Sequence, residues 1–132
     1  MEYASEFRYR RPILFKDDVM IALSQSGETA DTLAAIHLAK QKGCLCLGVC
    51  NSVGSTIARE SDAGVYLHAG PEIGVASTKA FSAQIIVLMM MVLKLAKERG
   101  ALDDAQIQER IAGLQRLPEL MRDIEEANPG LP

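Results

Sequence analysis

Cys44-Leu45-Cys46-Leu47-Gly48-Val49-Cys50 is a continuous apolar run with no polar alternation. A strand with one wet face alternates, so this run predicts a strand buried on both faces. Such strands belong to parallel sheets covered by helices, because parallel neighbours need a crossover between them. The flanking sequence supplies those parts. Val19-Met20-Ile21-Ala22-Leu23 reads as an earlier strand and Ala63 to His68 as a later one. Glu2-Tyr3-Ala4 reads as the end of a further strand near the start. Between the strands, Thr29 to Lys42 carries Leu33, Ile36 and Ala39 at helical spacing, with Gly43 as its stop. Ser55 to Glu60 reads as a short helix capped by Ser55 or Ser52. Strands alternating with helices predict the α/β class.

The 132 residues suit one domain, and 48% hydrophobic content excludes a disordered chain. A net charge of −3 gives no basic field for holding nucleic acid. The start, Met1-Glu2-Tyr3-Ala4-Ser5-Glu6, has no signal-peptide pattern, and three cysteines are an odd number, so reduced thiols in the cytoplasm are expected. Cys44, Cys46 and Cys50 share one strand face by the period of two. A row suits small buried hydrophobes better than a metal site. The uncharged run from Ala80 to Leu93 is short for a membrane span, and no membrane partner is expected. Phe81 to Leu95 is apolar nearly all round, which predicts the buried centre of a helical layer, with Met89, Met90 and Met91 as packing. Ile107, Ile111, Leu114, Leu117, Met121 and Ile124 form a stripe on a last helix that begins at Asp103-Asp104 and breaks at Pro118. That stripe is expected to pack on something else. Asn128-Pro129-Gly130 reads as the start of a linker.

The stretch most able to do chemistry is Ser24-Gln25-Ser26-Gly27-Glu28-Thr29, a polar turn from strand to helix. The first backbone N–H groups of a helix lack partners and sit at the positive end of its dipole, which makes an anion site. The hydroxyls of Ser24, Ser26 and Thr29 and the amide of Gln25 add donors, and Gly27 allows close approach. The alternative is that these hydroxyls only cap the helix. Glu28 and Asp31 would repel a bound anion unless they point away. Asn51 to Ser55 is a second polar turn after a strand. The loop Ala69 to Lys79 gathers Glu72, Ser77, Thr78 and Lys79 where open α/β sheets bind ligands. Arg8, Arg10 and Arg11 could contact phosphate or a partner subunit, or form a solvated charge run.

Ser24 to Leu33, Gly70 to Phe81, Ala4 to Arg10 and Arg59 to Asp62 resemble the glutamine–fructose-6-phosphate aminotransferase (isomerizing) family, also called glucosamine-6-phosphate synthases. The chain is similar to the first sugar isomerase (SIS) lobe of that family's isomerase half. The resemblance implies a three-layer α/β/α sandwich with a flavodoxin-like parallel sheet, missing its first strand-helix unit. It implies a partial SIS domain over 1–100, then a C-terminal helix and the start of an inter-lobe linker over 101–132. It implies that Ser24, Gln25, Ser26 and Thr29 hold the phosphate of fructose 6-phosphate or glucosamine 6-phosphate. Val75, through its backbone, and Ser77 then line the sugar, with Glu72 and Lys79 in the same loop. It implies no cofactor and no metal, and a homodimer in the full-length family enzyme. No residue here matches the family's glutaminase cysteine, acid/base glutamate, ring-opening histidine or Schiff-base lysine, so no catalytic residue is expected in this chain.

Two functions compete at this level. One is the phosphate-binding part of an aminotransferase-isomerase; the other is a stand-alone SIS module that senses phosphosugars without catalysis. The Gly70–Lys79 loop favours the first, because it resembles the synthases in particular. A nucleotide-binding domain would need G-x-G-x-x-G or a G-K-[ST] loop, and neither is present.

Overall fold

The computed structural model describes residues 1–74 and 77–130. Its elements run α1 (Ala4–Tyr9), β1 (Val19–Ser24), α2 (Ala30–Gln41), β2 (Leu45–Cys50), α3 (Thr56–Glu60), β3 (Ala63–Tyr66), α4 (Lys79–Glu98), α5 (Asp104–Gln115) and α6 (Leu117–Ala127). They fall into two compact units, residues 1–85 and 86–132.

In the first unit the three strands form a parallel sheet in the order β1-β2-β3. Val19 pairs with Leu45 through to Ser24 with Cys50, and Leu47 pairs with Ala63 through to Cys50 with Tyr66. This is the expected α/β fold with a parallel sheet. The register puts Ala22, Cys46 and Cys50 on one face, where they form one buried cluster with Cys44, Ile36, Ala39 and Ile57. Small side chains let α2 and α3 approach the strands closely. The cysteines are therefore core residues, all free thiols, and burial pushes the Cys46 and Cys50 thiols up. Lys42 and Gly43 close α2 as expected, with Gly43 at φ +81°.

Several expectations need correction. Residues 2–4 do not end a strand. The Tyr3 carbonyl accepts from the N–H groups of Glu6 and Phe7, which starts α1, and α1 packs against α2. The run at β2 is not buried on both faces. Val49 is buried, but Leu45 is exposed, as are Val19, Ile21 and Val65, which share its face of the sheet. Nor is the apolar helix a buried centre: of α4 only Ala80 is buried, and Phe81, Met89, Met90, Val92 and Leu95 are exposed. At 20 residues α4 is also longer than the uncharged run, because Lys79, Lys94, Lys97 and Glu98 cluster at its ends. By length and composition it could cross a membrane.

In the second unit, the side chain of Asp103 accepts from the N–H of Gln106 while Gln106 Oε1 accepts from the N–H of Asp103. This reciprocal box starts α5. Pro118 opens α6 at its first turn, the break the sequence predicts. Of the apolar stripe, Ile107 is buried and Met121 and Ile124 are exposed.

Candidate functional site

The turn between β1 and α2 is held by its own atoms and by the turn after β2. Ser24 Oγ, buried, accepts the Gly27 N–H at 2.9 Å and lies 3.4 Å from Thr29 Oγ1. Ser26 Oγ accepts the Glu28 N–H at 3.2 Å. The Gln25 carbonyl accepts from the N–H groups of Asn51 and Ser52, and the Gly27 carbonyl from that of Ile57. Gly27 takes φ +69°, and a Cβ there would lie 2.0 Å from Ser55 Oγ. Only glycine satisfies both conditions.

Thr29 stands at the N-cap of α2 but makes no side-chain cap hydrogen bond. The hydroxyls therefore do not cap this 12-residue helix, and its first amides remain with the positive end of the dipole facing the turn. Ser24, Gln25, Thr29 and Ser77 open on one cleft of about 1220 Å³ beside β1, while Ser26 is exposed in the turn itself.

The two carboxylates that would oppose an anion are engaged elsewhere. Glu28 Oε1 accepts the Thr56 N–H at 2.8 Å, at the start of α3. The Thr56 hydrogen bonds hold Glu28 below the usual carboxylate range. Asp31 pairs with Arg8 Nη1 at 3.2 Å. Arg10 pairs with Glu2 at 3.1 Å, so two of the three clustered arginines have intrachain carboxylate partners.

Ser55 or Ser52 is expected to cap α3, and Ser55 does not. It occupies the N-cap position without a cap bond, and its buried Oγ has no hydrogen-bond partner among the described residues. Its hydroxyl forms the wall behind Gly27, and the first two α3 amides are taken by the first turn: Thr56 N–H by Glu28 Oε1 and Ile57 N–H by the Gly27 carbonyl.

The second loop is built around two residues. Asn51 Oδ1 accepts the Ala69 N–H at 2.9 Å and Asn51 Nδ2 donates to the Gly70 carbonyl at 2.7 Å. These bonds straddle a turn in which His68 and Gly70 take φ of +53° and +74°. Glu72 then accepts the Thr78 N–H at 2.6 Å and the Ser77 hydroxyl at 3.0 Å. The Thr78 N–H, and less so Ser77, hold Glu72 below the usual carboxylate range. Glu72 is thus a staple of its own loop, and Ser77 donates to it from the rim of the cleft. Lys79 Nζ lies near Gly70. Val75 lies outside the described residues. The roles of Asn51 and of the Glu28 cap have no local sequence signal, because the partners are 18, 19 and 28 residues away.

The SIS domain family matches residues 1–94. Glutamine--fructose-6-phosphate aminotransferase [isomerizing] of Bacteroides thetaiotaomicron is 52% identical over 131 residues, covering 99% of this chain and 21% of that protein. The enzyme of the same description from Chlorobaculum tepidum is 54% identical over the same coverage. The C-terminal domain of glucosamine-fructose-6-phosphate aminotransferase from Francisella tularensis superposes with a TM-score of 0.82 at 41% identity, covering 87% of this chain and 33% of that one. The chain spans about a fifth of the length of the curated relatives it matches.

Proposed function

We propose that this chain, which belongs to the SIS domain family, holds the phosphate of fructose 6-phosphate or glucosamine 6-phosphate as part of a glutamine–fructose-6-phosphate aminotransferase. One observation carries the reading. The N-cap of α2, Thr29, makes no side-chain cap bond, although the turn before the helix carries the hydroxyls of Ser24, Ser26 and Thr29. A helix start whose dipole and hydroxyls face a cleft favours an anion. The hydrogen bond of Glu28 to α3 and the pairing of Asp31 with Arg8 offset part of the repulsion such an anion would meet.

In this reading Ser24, Gln25, Ser26 and Thr29 contact the phosphate. Ser77 and the Val75 backbone line the sugar, and Glu72 with Lys79 shapes that side of the site. Residues 1–100 act as the sugar-phosphate domain, and 101–132 as the helical passage to a second lobe. The groups for proton transfer and Schiff-base chemistry come from other parts of the family enzyme, which works as a homodimer in the cytoplasm. Free cysteines suit that compartment.

Calorimetry with fructose 6-phosphate tests the assignment. Replacing Ser26 and Thr29 together by Ala removes two hydrogen bonds to a charged group, each worth about 1.5–3 kcal/mol. Affinity is expected to fall by roughly a hundredfold or more. A double variant that binds like the parent would overturn the phosphate assignment.

A further inference from the structure

We infer that Glu28 is a positioning residue that sets the anion affinity of the β1–α2 turn through where its charge is kept. The inference rests on the phosphate reading above. Glu28 immediately precedes the N-cap of α2, so a free carboxylate there would sit beside the amides that face the anion. The structure instead holds Glu28 Oε1 on the Thr56 N–H at 2.8 Å, across to the next crossover. Ser55, the local residue placed to serve that end of α3, is turned into the wall behind Gly27 and makes no cap bond. The first α3 amide, Thr56 N–H, goes to a carboxylate from another loop, and the second, Ile57 N–H, to the Gly27 carbonyl. The positive end of α3 then offsets a negative charge that would weaken the positive end of α2. Asp31, on the other side, is offset by Arg8 in the same manner.

The test separates charge from tether. Glu28→Asp keeps the charge but is one methylene too short for the Thr56 amide. Glu28→Ala removes both charge and tether. Thr56→Pro keeps the Glu28 charge but removes both Thr56 partners of the carboxylate, the amide and the hydroxyl that also accepts from Arg59. Proline is compatible there, because Thr56 is the first residue of α3 and Ser55 has φ −62° and ψ 162°. Binding of fructose 6-phosphate and of inorganic phosphate is measured by calorimetry on the whole chain at two ionic strengths. Glu28→Asp and Thr56→Pro are expected to bind about three- to tenfold more weakly at low salt, as a unit charge at this range implies. The deficit should shrink as salt rises. Glu28→Ala should bind at least as tightly as the parent and restore binding in the Thr56→Pro background. If Glu28→Ala is as weak as Glu28→Asp, the contact is only a tether and the inference fails. It also fails if Glu28→Asp and Thr56→Pro bind like a parent that does bind. A parent that binds neither probe breaks the phosphate reading itself, and the inference falls with it.

Discussion

The turn after β1 and the turn after β2 look alike in sequence and do opposite work. Both are polar, both carry a glycine and several hydroxyls, and both lead from a strand of the parallel sheet into a helix. In the first, residues 24–29, the hydroxyls stay off the helix start, and α2 is left open to the cleft. In the second, residues 51–55, the backbone amides of Asn51 and Ser52 brace Gln25, Ser55 backs Gly27, and the helix start is closed by a carboxylate from the first turn. One turn is presented and the other presents it. A hydroxyl-rich strand-to-helix junction is therefore not a site by itself; it becomes one when a neighbouring junction supplies its support.

The contact between the turns is tightest at Gly27, so the largest effect is expected there. Gly27→Ala must place a Cβ within 2.4 Å of Ser55 Cβ at a φ of +69°. The left-handed backbone costs about 1–2 kcal/mol and the overpacking about 1–3 kcal/mol. Urea unfolding should report their sum. Adding Ser55→Gly should recover the packing part and leave the backbone part. If the double variant is no more stable than the single, Ser55 is not the wall this comparison makes it.

A smaller and local loss is expected from Asn51→Ala. It strips partners from the Ala69 N–H and the Gly70 carbonyl, worth about 1–2 kcal/mol together. Hydrogen exchange should quicken at Ala69 and its neighbours while the β1–β2 ladder keeps its protection. Uniform loss of protection would show that Asn51 supports the whole unit and not the second loop.

The smallest effect is a titration. The Thr56 hydrogen bonds lower the pKa of Glu28 in the folded chain. A carboxylate lowered on folding stabilises above its unfolded pKa, and that contribution is lost as pH falls through the folded value. The cap on α3 should therefore persist at neutral pH and release below the ordinary glutamate pKa of about 4.3. The Thr56 amide shift followed by NMR should titrate with that lowered midpoint. An ordinary midpoint would mean that the carboxylate is not held.

Much of the scaffold is legible in the sequence. The apolar runs at 19–23, 44–50 and 63–68 are strands or contain them, because continuous apolarity suits a parallel sheet. The break at Pro118 and the stop at Gly43 follow from a missing N–H and a permissive φ, both local properties. Residues 2–4 misread because three residues cannot distinguish a strand end from a helix start. Helical burial around Phe81 to Leu95 misread because composition says which side chains could be buried, not what covers them.

Sequence alone determined the three strands, the helices from α2 onward, the parallel pairing class and the cluster of donors from Ser24 to Thr29, since these depend on residue type and short spacing. Only the tertiary structure decided which donors stay free. Glu28 reaches Thr56, Ser55 backs Gly27, and Asn51 clamps Ala69 and Gly70 across separations of 18 to 28 residues. Hydrogen bonds at such separations leave no periodic trace in the chain, because they form only once the parallel register brings the ends of β1 and β2 side by side.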